Sequence, residues 1–508
     1  MALIADHQNL ENWLTSLGYS ESGKDVVLSS NEVSPLEPYA PELRALMDGT
    51  IDPAIAAVAT IDHTPTVCFI MLDPMVPAEA ERVAAVRRAI WNQNLVCLVL
   101  VIAGDVAYPY SAIPDGVDPK GISRLDTTRA SAYSYREVIA GSLVEAHPDW
   151  FDRKNRVDKR LLANLDQAVM LLAKQGVDKL RAQYLLGQSL FISYLEHRGI
   201  AGLHYRTKYE VGSLLGLIAA CDRDGLERYL LRLKKSFNGD FLSPEALGSA
   251  GWSQLSDSSF SIISDLLSRT DLASGQQSLW TYDFRFIPVE LISGIYETFL
   301  SEDKDIDGAY YTPRNLAVFV VDQAFEHSAD IANEIVYDGA CGSGILLVTA
   351  FRRMLHAAES AAGEPLNFKQ RCDLLKGHIR GSDINAGACL VTAFSLYLSL
   401  LENMRPADLT LIGGDSHDAK LPKLQDKILW SGKKEGDFFS QDVAAKRESD
   451  ATIFLSNPPW REPGRKEEDL SFESWASDPT RQWHLPHRQI AAAFTHRALD
   501  VVPVGGRV

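Results

Sequence analysis

The quartet Asn457-Pro458-Pro459-Trp460 follows directly on the apolar run "ATIFLS" (451–456). Strand residues feed a backbone ladder and proline has no N–H to give it, so the strand must stop there. What begins is chemically specific. Asn457 offers a side-chain carbonyl acceptor, and Pro458 offers a backbone carbonyl. The two prolines fix φ and remove competing N–H groups, so that carbonyl points where the turn aims it. Two acceptors converging on one exocyclic amine draw its lone pair out of conjugation with its ring. Trp460 supplies a flat face, and stacking of a base on such a ring is worth about 1–3 kcal/mol in single-stranded recognition. An amine held this way can attack a methyl sulfonium in line. The sulfonium is already a good leaving group, so the chemistry asks for no metal and no strong base. Alone, the quartet supports a turn and a stacking residue and no more.

Three acids occupy corresponding places upstream. Asp338 ends the run "EIVYD" and is followed by "GACGSG", in which Gly342 and Gly344 carry no side chain and let a ligand approach the backbone. The run "ILLVTAFRR" then opens a helix behind the loop. The loop has neither the G-x-G-x-x-G spacing of a dinucleotide site nor the Gly-Lys-Ser/Thr of a phosphate loop, so it suits a ligand without a pyrophosphate. Asp383 ends "HIRGSD", where a carboxylate can accept both hydroxyls of a ribose, and Ile384 beside it can pack on a purine face. Asp415 ends "LTLIGGD" and can accept from an amino group. Taken singly, each acid reads as a helix cap or a turn residue. In this order, at successive strand ends, they read as one site.

Such positions must be strand ends of one sheet. The runs "EIVYDGA", "HIRGSD", "LTLIGGD" and "ATIFLSN" are separated by material long enough for helices, which is the βαβ pattern of a mostly parallel sheet. Ligands bind such sheets at the carboxyl ends of the strands. The expected fold is therefore α/β, with a Rossmann-like catalytic domain over 305–508. Residues 151–304 read as a helical domain. "RLLANLDQAVMLLAKQG" and "RAQYLLGQSLFISYLEHRGI" have three- and four-residue apolar spacing, with Gly176 and Gly199 where C-caps belong. The stripe of Leu185, Leu186, Leu190, Phe191, Tyr194 and Leu195 is expected to be core. "SGQQS" (274–278) is the linker candidate.

Residues 1–150 read as a small amino-terminal α/β domain. Strands are expected at "PTVCFIML" (65–72) and "LVCLVLVIA" (95–103), with the helix "EAERVAAVRRAIWNQN" between them and a loop at "YPYSAIPDGVDPKG". A degenerate nuclease is one reading of this domain, with Asp105, Asp118 and Lys120 as the nearest acid–lysine set. Pro119 falls where a strand should run, which favours a turn.

Bulk properties narrow the class. The 508 residues carry a net charge of −17, and residues 1–150 hold nine Lys and Arg against twenty Asp and Glu, so most of the excess sits there. The remainder includes the basic clusters "RKNRVDKR", "RLKK" and "GRKEE", and local patches rather than the total decide contact with phosphates. Six scattered cysteines without a CxxC pair argue against a zinc site or a disulfide framework and fit a reducing cytoplasm. The longest apolar runs are short of the about 20 residues a bilayer span needs. The acidic start has no basic n-region, so no secretory signal is read.

"GAYYTP" (308–313), "DGACGSG", "SDIN", "GGDS" and "NPPW" stand in the order found in the γ-class of N6-adenine DNA methyltransferases. The set resembles the amino-methyltransferases of type I and type IIG restriction–modification systems and related phage-defence methylases. The resemblance covers about 305–508, and more loosely "GQSLFISYLEHRG" and "VELISGIYETFL". It implies site-specific DNA adenine-N6 methylation with S-adenosyl-L-methionine as cofactor. Tyr311 and Thr312 would close over the methionine part, and Asp338, Ala340, Gly342 and Gly344 would line its amino-acid and ribose side. Asp383 would take the ribose hydroxyls, Ile384 the adenine face and Asp415 the adenine amine. Asn457, Pro458, Pro459 and Trp460 would hold a target adenine flipped from double-stranded DNA. Tryptophan stands where tyrosine or phenylalanine is commoner, which preserves stacking. The implied partners are duplex DNA and other subunits of a defence system, with no membrane. The resemblance also implies further strands and a target-recognition domain beyond Val508, so the chain is expected to be truncated or split relative to the family. The alternative is a cofactor-binding or scaffold subunit that is inactive without a partner. RNA and protein-glutamine methyltransferases share Asn-Pro-Pro but generally lack "GAYYTP" and the preceding helical domain.

Overall fold

The structure is a computed structural model and describes residues 2–20, 26–34, 36–73, 80–113, 121–237, 251–268, 272, 281–289, 291–292, 312–402, 404, 421–441, 443–463, 470–478, 485 and 488–508. It divides into two compact units, 1–171 with 262–288, and 172–261 with 289–508. The linker candidate "SGQQS", most of "VELISGIYETFL" and the segments holding Asp118, Lys120, Tyr311 and Asp415 lie outside the described residues.

In the first unit, six strands form one sheet: β1 (Val26–Val27), β2 (Ile55–Ile61), β3 (Thr64–Leu72), β4 (Leu98–Ala103), β5 (Val106–Ser111) and β6 (Ile122–Ser123). They lie in chain order across the sheet, antiparallel except for the parallel β3–β4 pair. A parallel pair needs a crossover, and helix α2 (Ala80–Gln93) supplies it. Strand alternation sends Cys68, Ile70, Val99 and Val101 toward Val83, Val86 and Ile90 of α2. It sends Val67, Phe69, Leu98 and Leu100 toward Leu10, Trp13 and Leu14 of α1 (Ala2–Ser16) on the other face. The Trp13 indole N–H and the Asn9 amide both donate to the Gly104 carbonyl, each at 3.0 Å, and pin that helix to the β4–β5 turn.

One expectation is corrected here. "YPY" belongs to β5, with Pro109 opposite Leu100, and is not loop. Strand β6 pairs only with Val106 and Ala107 of β5, so among the described residues no strand pairs with Pro109 on its outer side and no ladder N–H is called for there. Asp105 lies in the β4–β5 turn and pairs with Arg124 at 2.6 Å.

In the second unit the helix α3 (Lys179–His197) is capped by Asp178, whose side chain accepts from Arg181 N, and the chain turns away at Gly199 in the left-handed region. All six residues of its expected stripe are buried. A four-stranded parallel sheet follows, made of β7 (Val336–Asp338), β8 (Ile379–Asp383), β9 (Leu429–Ser431) and β10 (Ile453–Phe454) in the order β10-β7-β8-β9. Arg507 adds a parallel bridge outside Ile453. Crossover helices α4 (Ile345–Ala362), α5 (Phe368–His378) and α6 (Ala386–Leu401) link β7 to β8 and follow β8. Helix α7 (Ile490–Val501) packs Ile490, Ala493 and Phe494 with Tyr337, Phe438 and Phe454 in an aromatic core. The strand beside β8 is "LWS" of β9, which sequence reading passed over, while "LTLIGGD" lies outside the described residues. Among the described residues no helix is long and apolar enough to cross a membrane.

The segment after β9 is held by Arg447, a fully buried cation. Its guanidinium donates to the carbonyls of Glu435, Asp437, Phe438 and Ser440 and to the Glu448 carboxylate, at 2.7–3.2 Å. Arg447→Met is expected to cost about 3 kcal/mol in urea unfolding, because it removes five hydrogen bonds of a buried cation at once. A loss under about 1 kcal/mol, the worth of an exposed pair, overturns that assignment.

Candidate active site

Four parallel strands place their carboxyl ends along one edge. Asp338 ends β7 and is 1% exposed. Its Oδ1 accepts from Ala340 N at 3.0 Å and from Ser456 Oγ at 2.8 Å. Ser456 directly precedes Asn457, so this bond ties the glycine loop to the quartet, as the adjacency of β10 and β7 requires. Asp383 ends β8 and accepts from Gly342 N at 3.0 Å through Oδ2, and from Asn385 N at 2.8 Å through Oδ1. Each oxygen keeps a second lone pair for another donor.

These partners are neutral, and the electrostatics follow. Burial pushes the Asp338 carboxyl up to about 7, its two hydrogen bonds offset this in part, and the Asp383 charge adds to the rise. Burial also raises Asp383. Two carboxyls short of charge compensation at one strand edge fit a ligand bearing positive charge. A sulfonium with an α-ammonium group is such a ligand.

The loop 339–344 is shaped by close approach. A side chain at Gly339 would meet the Phe438 ring at 2.9 Å, and one at Gly436 would collide with the Asp383 carbonyl. Gly344 has φ +82° and precedes α4, and a Cβ there would lie 2.9 Å from Thr392 Cγ2 and 3.2 Å from its Cα. Thr392 Oγ1 donates to the Gly342 carbonyl at 2.7 Å, and Ser395 Oγ to that of Ser343 at 2.9 Å, so α6 grips the loop from below. Gly344→Ala is expected to cost about 2 kcal/mol by thermal unfolding, from the left-handed backbone and the collision together. Full stability in the variant overturns this account. Under the loop, the neighbouring Cys389 thiol, and then burial, hold Cys341 well above the usual thiol range, so it is packing rather than a nucleophile.

At β10 the quartet leaves the sheet. Asn457, Pro458 and Pro459 are half-buried and Trp460 is 61% exposed. Trp460 Nε1 donates to Asn457 Oδ1 at 3.0 Å, and Asn457 Nδ2 donates to Thr312 Oγ1 at 3.0 Å. Ile384 is 37% exposed beside Asp383. The structure thus brings Thr312, Asp338, Ala340, Gly342, Asp383 and Asn457 into one connected edge, and Tyr311 and Asp415 lie outside the described residues. Sequence reading missed Ser456, Thr392, Gly436 and Arg447. Only Ser456 carries a sequence signal, its place between a strand and the quartet.

This parallel sheet, flanked by helices and carrying its polar loops at the carboxyl edge, is a Rossmann-like α/β arrangement. Residues 289–508 match the family model described as N-6 DNA Methylase. Comparison with curated proteins returns no match. Among solved structures, a type I restriction-modification methyltransferase subunit from Streptococcus thermophilus is 15% identical, with 69% of this chain and 73% of that one covered, at a TM-score of 0.37. The type IIG restriction endonuclease BpuSI is 14% identical, covering 92% and 50%, at 0.37. The DrdV–DNA complex is 11% identical, covering 97% and 49%, at 0.34. The chain spans about half the length of the last two.

Proposed function

We propose that the protein transfers a methyl group from S-adenosylmethionine to the N6 amine of an adenine in duplex DNA, as part of a restriction–modification or phage-defence system in the cytoplasm. The observation that supports this most is the bond pattern at Asn457. Its amide stands at the sheet edge, joined through Ser456 to the loop that presents Asp338. S-adenosylmethionine supplies the electrophilic methyl group and its sulfonium leaving group. Asp338 and Asp383 provide negative charge for its cationic part, and Asp383 and Ile384 face the nucleoside part. Asp415 and Tyr311 are assigned to the cofactor by the family pattern alone. Asn457 Oδ1 and the Pro458 carbonyl accept from the adenine amine and turn its lone pair toward the methyl group. Trp460 stacks on the base, which must leave the duplex to reach these groups. The amine loses its proton to solvent once the new bond has formed.

The deciding experiment offers methyl-labelled S-adenosylmethionine with duplex DNA, RNA and a release-factor protein. Label on the N6 of DNA adenine is expected. Label only on RNA or protein overturns the proposal. Cofactor binding without transfer, rescued by an added partner subunit, supports the scaffold reading instead.

A further inference from the structure

Phe454 of β10 pairs with Tyr337 of β7, and Leu455 N donates to the Tyr337 carbonyl at 2.9 Å. Ser456 is the next residue, just past the ladder, and Asn457 follows it. Serine hydroxyls at such places commonly bond their own turn. This one instead donates to Asp338 Oδ1 at 2.8 Å, across a sequence gap of 118 residues. We propose that Ser456 is a positioning residue for methyl transfer, one that anchors the base of the Asn-Pro-Pro-Trp turn to the carboxylate that faces the cofactor. The inference rests on the adenine-methylation reading above.

Two properties of the chain give this one bond its leverage. The first is stiffness. Proline fixes φ at 458 and 459, and a residue that precedes proline is confined to extended backbone, which applies at 457 and 458. The turn therefore moves as one piece, and Ser456 is the nearest residue before it with ordinary backbone freedom. A bond at that point aims the Asn457 side chain and the Pro458 carbonyl together. The contacts of Asn457 act on its amide, whereas Ser456 acts on the backbone from which that amide springs. The second property is charge. The hydroxyl has a single hydrogen, and donating it to Asp338 favours the ionised form of a carboxyl that burial raises to about 7. The other donor to the same oxygen is the Ala340 backbone, so among the described residues Ser456 is the side-chain donor to Asp338. The titratable groups that act on Asp338 are Asp383 of β8, which raises it further, and Cys341 of its own loop, whose thiol is held well above the usual range and stays neutral. One bond thus serves both reactants. It keeps negative charge available for the cofactor and holds the acceptors for the amine.

The test compares Ser456→Ala, which removes the donor, with Ser456→Thr, which keeps it. S-adenosylmethionine affinity by calorimetry, followed from about pH 6 to about pH 9, should fall on the acid side as Asp338 takes up a proton. Losing a donor to the charged form is expected to move that fall up by about one pH unit in Ser456→Ala. The alanine variant then binds the cofactor about fivefold more weakly than wild type near pH 7 and nearly as well at about pH 9. Single-turnover methyl transfer to duplex DNA, with saturating cofactor at about pH 9, is expected to stay about tenfold below wild type, because the turn has lost its anchor. Ser456→Thr should match wild type in both measurements. Equal rates and equal profiles in wild type and Ser456→Ala overturn the inference. So does a transfer defect that disappears at high pH together with the affinity defect, or a threonine variant as defective as the alanine one. Wild-type protein that binds the cofactor and is inactive on DNA defeats the methylation reading itself. In that case the affinity profile still decides the contact, and identical profiles in wild type and Ser456→Ala overturn it.

Discussion

Replacing Asn457 by alanine is expected to slow methyl transfer to duplex DNA by on the order of 100-fold to 1,000-fold, the usual cost of deleting one preorganised hydrogen-bonding group at the charge that develops in a transition state. S-adenosylmethionine should bind the variant nearly as before. The separation follows from where the bonds run. The side proposed for the cofactor is built from Asp338 with Ala340 and Ser456, and from Asp383 with Gly342 and Asn385. Asn457 bonds to Thr312 and Trp460 where the quartet leaves the sheet, and to none of those loop groups directly. Truncation at Cβ therefore removes the amine acceptor without unpicking the loop. Single-turnover transfer of labelled methyl, set beside a calorimetric titration with the cofactor, measures both halves. A large loss of cofactor affinity in this variant would move Asn457 to the other pocket.

The second large effect is a pH dependence with an unusual consequence for a substitution. The Asp338 carboxyl is raised from about 3.8 to about 7 in the folded protein, chiefly by burial. Between those values the folded state holds a proton that the unfolded state has released. Stability from this group is therefore complete below about pH 4 and is lost as pH rises through about 7. A rise of that size corresponds to on the order of 4 kcal/mol for this fully buried group. Asp383, raised in the same direction, adds to the trend. Both donors to Asp338 use the same oxygen, Oδ1, so an amide with its carbonyl there keeps both bonds. Asp338→Asn is thus expected to flatten the fall in stability between pH 4 and 7 and to be more stable than wild type at pH 8. The same variant loses a negative charge facing a cationic ligand, and its S-adenosylmethionine affinity should drop about tenfold or more, as for an uncompensated loss of a shielded charge contact. Urea unfolding at pH 5 and 8, with calorimetry at pH 8, reads both effects. A variant that is less stable at pH 8 and binds the cofactor normally would make Asp338 a structural carboxylate and nothing more.

Gly436 and Gly339 allow the segment after β9 to press on the strand ends, and Arg447 holds that segment from within. The edge is thus held in place in part by residues, Gly436 and Arg447, that lie outside the strand-end motifs.

Much of this was legible in the chain. The strand-end acids, the glycine loop and the Asn-Pro-Pro-Trp turn are local patterns, because proline, glycine and strand periodicity act over a few residues. Buried helices with regular spacing were legible for the same reason, as the α3 stripe shows. Two readings needed the fold. Tyr108-Pro109-Tyr110 looks like loop until β6 is seen to pair only with Val106 and Ala107. "LWS" is too short to stand out as a strand, and it becomes one only because β8 offers it a ladder.

By itself, then, the sequence placed Asp338, Asp383 and the Asn457 quartet at strand ends, since residue type and short spacing carry that information. Only the tertiary structure decided that Ser456 binds Asp338, that Thr312 receives Asn457 and that burial raises the two carboxyls. Those facts depend on atoms more than 100 residues apart being brought within 3 Å and shielded from water, and no local pattern encodes that distance.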